Sequence, residues 1–233
     1  MRHAVVAFIL LLSFGLFAQN AKHGTDAAAP ESTAKSAAAA TASNQVWADL
    51  LAGNKRYREG KPLAHNYPAE RSVLVKGQEP KVAILSCSDS RVPPELVFDK
   101  SLGELFVVRT AGNSADALAI GSLEYGVEHL GTKVLLVMGH QSCGAVSAAC
   151  SGEKAPTENL EAVVAPIAPA CRKAGTTLKG AELIDAAVHE NVQNSAQNLL
   201  AKSQVLQHAV HEGKLTIIEA YYRLDTGEVV RLK

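Results

Sequence analysis

The stretch KVAILSCSDSR (residues 81–91) opens as an apolar run and breaks off abruptly into cysteine, serine, aspartate and arginine. Val82, Ala83, Ile84 and Leu85 show no helical spacing, and so short a bounded run reads as a strand buried on both faces. KVLLVMGHQSC (residues 133–143) repeats the design, with its apolar run closing on Gly139, His140 and Cys143. LFVV (residues 105–108) supplies a further strand of the same kind. Residues 114–130 then place Leu118, Ile120, Leu123, Tyr125 and Val127 on one broad helical face, with Ser114 as the candidate cap. Short apolar strands alternating with helices call for a mainly parallel α/β sheet covered on both faces. Ligands of such sheets gather beyond the carboxyl ends of strands, where the winding reverses. Cys87 and His140 stand at two such ends.

Working outward, Val46, Trp47, Leu50, Leu51 and Tyr57 recur at helical spacing over residues 44–60, which predicts an N-terminal helical arm. Residues 144–150 and 159–174 read as helices, the second broken or bent by Pro166 and Pro169. Residues 181–211 read as one long helix. Residues 215–222 and 228–232 flank the turn Asp225-Thr226-Gly227 and predict a hairpin. The expected sheet therefore has about four parallel strands and an antiparallel edge strand at the C-terminus.

The chain has 233 residues, enough for one sizeable core. Its 23 basic and 23 acidic residues give no electrostatic case for nucleic acid or an anionic membrane as partner. Residues 1–21 carry Arg2 and His3 ahead of an apolar run and small residues at Ala18 and Ala21, the pattern of a cleaved signal peptide. A retained membrane anchor is the alternative, although the run is short for a bilayer span, and no cysteine precedes Cys87 for lipid attachment. Residues 22–43, rich in alanine, serine and threonine, read as a disordered tether, so the folded domain is expected over residues 44–233. A periplasmic or secreted protein without a stable membrane anchor is expected.

The chemistry lies in Cys87-Ser88-Asp89-Ser90-Arg91 and His140-Gln141-Ser142-Cys143. Two thiolates, an imidazole and a carboxylate form a borderline-soft set suited to tetrahedral zinc. Asp89 stands two residues from Arg91, so two arrangements are available to it. It can ligate the metal and close the site, or pair with Arg91 and leave a position for water. Three protein ligands plus water is the arrangement of a hydrating zinc centre, in which the metal generates hydroxide near neutral pH.

The ordered set CSDSR (87–91) and GHQSCGAV (139–146), with GNKRYREG (53–60), GELFVVRTAGN (103–113), SLEYGVEHL (122–130) and YYRLDTGEV (221–229), resembles the β-class carbonic anhydrases over residues 47–232. The resemblance implies one zinc ion per subunit, held by Cys87, His140 and Cys143, with Asp89 as a fourth ligand in one state. It also implies a catalytic Asp89–Arg91 dyad and reversible hydration of CO2 to bicarbonate by attack of zinc-bound hydroxide. Gln78 matches a glutamine that hydrogen-bonds substrate, and Gly144 a backbone N–H donor to the bound anion. Phe106 and Tyr125 match aromatics of the CO2 pocket, partly across a dimer interface. A homodimer, possibly a tetramer, is the implied assembly.

One branch of that family carries a regulatory bicarbonate site needing a tryptophan three residues before the first zinc cysteine. Ile84 stands there, and Arg109 lacks that aromatic partner. Thr110 and Ala220 also depart from the usual strings. Two other readings keep the ligand set: a hydrolase of a CO2 analogue such as COS or CS2, and a non-catalytic zinc-binding or thiol protein. A thiol-redox role is weakened by the lack of any C-x-x-C pair. Cys150 and Cys171 default to buried thiols, with a disulfide left open because spacing does not show whether they approach. His65, His129, His189, His208 and His211 show no metal-binding spacing; any could carry protons between the site and buffer.

Overall fold

A computed structural model describes residues 29–175 and 177–233. The segment read as a signal peptide lies outside the described residues. Five strands form one sheet in the order β2-β1-β3-β4-β5. They are β1 (Val82–Cys87), β2 (Leu105–Thr110), β3 (Val134–His140), β4 (Thr216–Tyr222) and β5 (Val229–Arg231). The first four are mutually parallel and β5 is antiparallel to β4, as the hairpin turn requires. The chain goes from β1 to β2 on one side and then crosses to place β3 on the other. The winding therefore reverses between β1 and β3, whose carboxyl ends carry Cys87 and His140.

Strand alternation explains the two layers. Val82, Ile84, Leu136, Met138 and Ile218 face one side, against Trp47 and Leu50 of α1 (Ala29–Arg58) and Val97 of α3 (Pro94–Val97). Ala83, Leu85, Leu135 and Val137 face the other. There they meet α4 (Ala117–Glu128), α8 (Gly180–Lys202) and α9 (Gln204–His211). Shorter helices complete the chain: α2 (Tyr67–Leu74), α5 (Gly144–Ser151), α6 (Glu158–Val164) and α7 (Ala168–Ala174).

Several boundaries differ from expectation. Helix α1 begins at Ala29, inside the stretch read as a disordered tether, because its alanines have the highest helix propensity of any residue. Asp116, not Ser114, caps α4: its carboxylate accepts the Ala119 N–H at 2.8 Å. The long helix expected over 181–211 stops at Ser203, whose extended backbone ends α8 and whose hydroxyl caps α9 by accepting the Leu206 N–H at 3.0 Å. Pro166 falls between α6 and α7, and Pro169 sits in the first turn of α7, as its missing N–H permits. Cys150 and Cys171 form a disulfide rather than remaining thiols. Helices α5 and α7 pack together and bring their Cα atoms to 5.2 Å, an approach that spacing could not reveal.

The arm is fixed by close contact. Asn54 donates to the carbonyls of Val97 (3.0 Å) and Gly227 (2.8 Å) and accepts from Val229 N–H (3.1 Å), tying α1 to α3 and the C-terminal hairpin. This approach needs Gly53, since a Cβ there would overlap the Phe98 carbonyl. Gly53→Ala is expected to cost about 3 kcal/mol, at the upper end of the overpacking range. That lowers Tm by about 6–12 °C in a domain of this size, and calorimetry checks it. An unchanged Tm would mean that α1 is not held there.

Candidate metal centre

The strand ends position the ligands. β1 delivers Cys87, β3 delivers His140, and the turn after β3 returns Cys143 as the N-cap of α5, with Ser142 at φ 55° making the reversal. All three are buried, and their ligand atoms lie within 4.8 Å of one another. The sulfurs of Cys87 and Cys143 are 4.0 Å apart. Two thiolates at about 2.3 Å from a tetrahedral zinc would stand about 3.8 Å apart, so the spacing fits that metal. His140 is 2.9 Å from the Gln141 carbonyl through Nδ1. A carbonyl only accepts, so Nδ1 carries the proton and Nε2 presents its lone pair to the sulfurs. That Nε2 is buried and has no hydrogen-bond partner. A buried acceptor without a hydrogen-bond partner, grouped within 4.8 Å of two thiols, fits a soft divalent cation such as zinc.

Asp89 is turned toward Arg91. Its two oxygens accept from Arg91 Nε (2.9 Å) and Nη2 (2.7 Å), and Oδ1 also accepts the Arg91 backbone N–H at 2.9 Å. The Arg91 guanidinium holds the Asp89 carboxyl well below the usual carboxylate range, against the partial burial that opposes it. Asp89 Oδ2 nonetheless stays 3.8 Å from His140 Nε2, on the open side of the three ligands. The Cys87 and Cys143 thiols shift in opposite directions, Cys87 down and Cys143 up. The Cys143 thiol donates to Cys87 and keeps its own proton, while Cys87 is pushed down by that bond and by N–H groups of Gly112 and Asp89.

Gly144 opens α5 on the exposed side, where the first N–H groups of a helix have no intrahelical partner. The other residues expected to bind substrate are not gathered here. Gln78 lies beside Leu74 and Gly103 at the amino end of the sheet, whereas the metal ligands sit at its carboxyl end, about 16 Å along β1. Phe106 is the second residue of β2, paired with Ala83, so it too belongs to the amino half. Its ring meets Tyr125 of α4 at 6.3 Å, beside an open cavity also lined by Leu118 and Gly121.

Three supporting groups escaped the sequence reading. Arg109 donates to the carbonyls of Cys87 (2.9 Å) and Asp89 (2.6 Å), which locks the ligand loop and occupies the side chain that a regulatory anion would need. The Gly112 N–H donates to Cys87 Sγ at 3.3 Å, and the Gln141 carbonyl orients His140. Arg109 and Gly112 are visible in the sequence, but no local pattern assigns them these contacts.

Residues 82–229 match the profile of the carbonic anhydrase family. A carbonic anhydrase of Mycobacterium tuberculosis is 35% identical over 189 residues, covering 79% of this chain and 90% of its own length. Among solved structures, the Coccomyxa β-carbonic anhydrase in complex with acetazolamide superposes with a TM-score of 0.64 at 29% identity, over 82% of this chain and 84% of that one. The β-carbonic anhydrase CcaA gives 0.64 at 27% identity, over 79% and 93%. With the sheet order, the two-cysteine, one-histidine ligand set and the Asp89–Arg91 pair, these matches show that the chain belongs to the β-class carbonic anhydrases.

Proposed function

We propose that this chain catalyses the reversible hydration of CO2 at a zinc ion held by Cys87, His140 and Cys143, as an exported homodimer. The observation that carries the catalytic reading is the commitment of Asp89 to Arg91, which leaves the fourth coordination position to a small ligand. When bound there, zinc supplies the Lewis acidity that makes hydroxide available near neutral pH. Asp89, held by three hydrogen bonds, would be fixed in place to accept a hydrogen bond from the attacking oxygen and so orient it. The Gly144 N–H, unpaired at the start of α5, donates to the bicarbonate oxygen.

The dimer reading is supported by the separation of Gln78 and Phe106 from the metal ligands of their own chain, and by Leu118, exposed at 83% beside Phe106 and Tyr125. Export is supported by the leader-like composition of residues 1–21 and by the Cys150–Cys171 disulfide, a bond that persists in oxidising compartments. Stopped-flow CO2 hydration by the zinc-loaded protein at pH 8.5 tests the activity, and a rate equal to buffer would overturn it. Acetazolamide, bound by the Coccomyxa relative, is expected to inhibit by taking the same open position. Sedimentation giving a monomer, or a full-length chain retained in the cytoplasm, would remove the dimer or the export respectively.

A further inference from the structure

The backbone that reaches Cys87 from below is unusual. Residues 111–113 form a single 3-10 turn in which Gly112 has φ 68° and Asn113, which is not glycine, has φ 46°. Asparagine enters the left-handed region more readily than most residues, and contacts to the carbonyls on either side select that conformation here. Both contacts come from α8. Asn191, buried at 2% exposure, donates its Nδ2–H to the Gly112 carbonyl at 2.8 Å. One helical turn on, Ser195 donates to the Asn113 carbonyl at 3.0 Å and stands 3.4 Å from the Asn113 amide.

The turn directs a single group at the metal site, the Gly112 N–H, which lies 3.3 Å from Cys87 Sγ. The carbonyl that Asn191 holds belongs to the next peptide group, joined to this N–H through the Gly112 Cα, so it restrains the N–H by fixing the turn. A Cβ at Gly112 would stand 2.5 Å from Ile167 Cδ1, so the turn packs too closely there for any side chain. Helix α8 can approach because Gly139, the residue before His140, has no side chain; a Cβ there would meet Val192 at 2.6 Å and Val188 at 2.8 Å. The same helix thus packs behind the strand carrying one ligand and fixes the hydrogen bond to another.

We propose that Asn191 is a positioning residue for the metal: through the Gly112 carbonyl it aims the Gly112 N–H at Cys87 Sγ, and so sets the direction and donor strength of that thiolate. Ser195 supports the same turn. A partner bonded directly to a ligand, as the Gly112 N–H is, is worth about 10–100-fold in metal affinity, and Asn191, one contact further out, acts at the lower end of that range. The inference rests on the zinc reading of the three ligands. Failure of the unaltered protein to bind metal would sink that reading, whereas normal binding with unaffected variants would sink only this one.

The test is metal affinity by chelator competition on Asn191→Leu and Ser195→Ala, with absorption spectra of the cobalt-substituted proteins. Asn191→Leu should weaken zinc about 10-fold and move the sulfur-to-cobalt charge-transfer band to lower energy, because the hydrogen bond from Gly112 to the thiolate is loosened. Ser195→Ala should act in the same direction by a smaller factor; it decides the matter if Asn191→Leu does not fold. Ser203→Ala removes the cap of α9 away from the site and controls for general destabilisation. Cobalt bands and affinities unchanged in the Asn191 and Ser195 variants overturn the proposal, as does an equal shift in Ser203→Ala.

Discussion

Replacing His140 by alanine is expected to lower kcat/KM for CO2 hydration by at least about 10³-fold, to the buffer rate, because the catalyst of water ionisation is lost with its ligand. The argument is one of coordination count. Among the described residues, Cys87, His140 and Cys143 are the grouped soft ligands, and His140 is the only nitrogen among them. Its ring is fully buried, with the Gln141 carbonyl fixing the tautomer, so no other orientation of the side chain competes for Nε2. Removing it leaves two sulfurs 4.0 Å apart and a carboxylate already engaged by Arg91. Two thiolates bind zinc far less firmly than three soft ligands, and dialysis should remove it. Elemental analysis beside stopped-flow rates separates the possibilities. A variant that keeps one zinc per chain and its full rate would show that His140 is not a ligand. Loss of stability is expected as well, since an imidazole is deleted from a packed interior.

Much of this centre is legible in the residue order, for a local reason. β1 and β3 are continuous apolar runs, and a continuous run that ends in a ligand places that ligand at a strand's carboxyl end whatever the rest of the chain does. The dyad is equally local, because Asp89 and Arg91 share one turn. What is not legible depends on contacts between distant segments. Asn191 meets Gly112 across 79 residues, and nothing around Asn191 distinguishes it from any polar residue on a helix. Gly139 reads as a strand terminator, yet its small size serves the packing of α8. Cys150 and Cys171 are joined by the way α5 and α7 pack. Gln78 is different again: motif position matches it to a substrate-binding glutamine, while the length of β1 separates it from the metal ligands of its own chain. The break at Ser203 was missed because a serine inside an apolar helical pattern is also tolerated there.

Arg91→Ala and Asp89→Ala are expected to reduce activity in different ways, and the double variant distinguishes them. The Arg91 guanidinium holds the Asp89 carboxyl far below its ordinary value, so Asp89 is ionised at any pH used for assay. A carboxyl with a lowered folded pKa contributes its stability in full above the unfolded value near ~3.9 and loses it only as pH falls through the folded one. Between pH 6 and 9, therefore, protonation of Asp89 is no part of any change at the site. Arg91 is itself about half exposed, with 56% of its side chain accessible, so the pair adds little to global stability and its effect is local. Without Arg91, a charged carboxylate 3.8 Å from His140 Nε2 is free to complete a four-ligand shell of the structural type. Arg91→Ala should thus hold zinc more tightly than the unaltered protein and lose about 10²-fold or more in kcat/KM, since the position for water is filled. Asp89→Ala should retain zinc in an open site and lose about 10²-fold, the usual worth of one positioned proton acceptor. If both residues act through one switch, their losses do not multiply. Removing Asp89 from the Arg91→Ala protein reopens the site, and the double variant should be no slower than Asp89→Ala alone. Rates for the three variants and zinc-release half-times under chelator provide the measurement. Multiplying losses, or faster zinc release from Arg91→Ala than from the unaltered chain, would mean that Arg91 does not keep Asp89 off the metal.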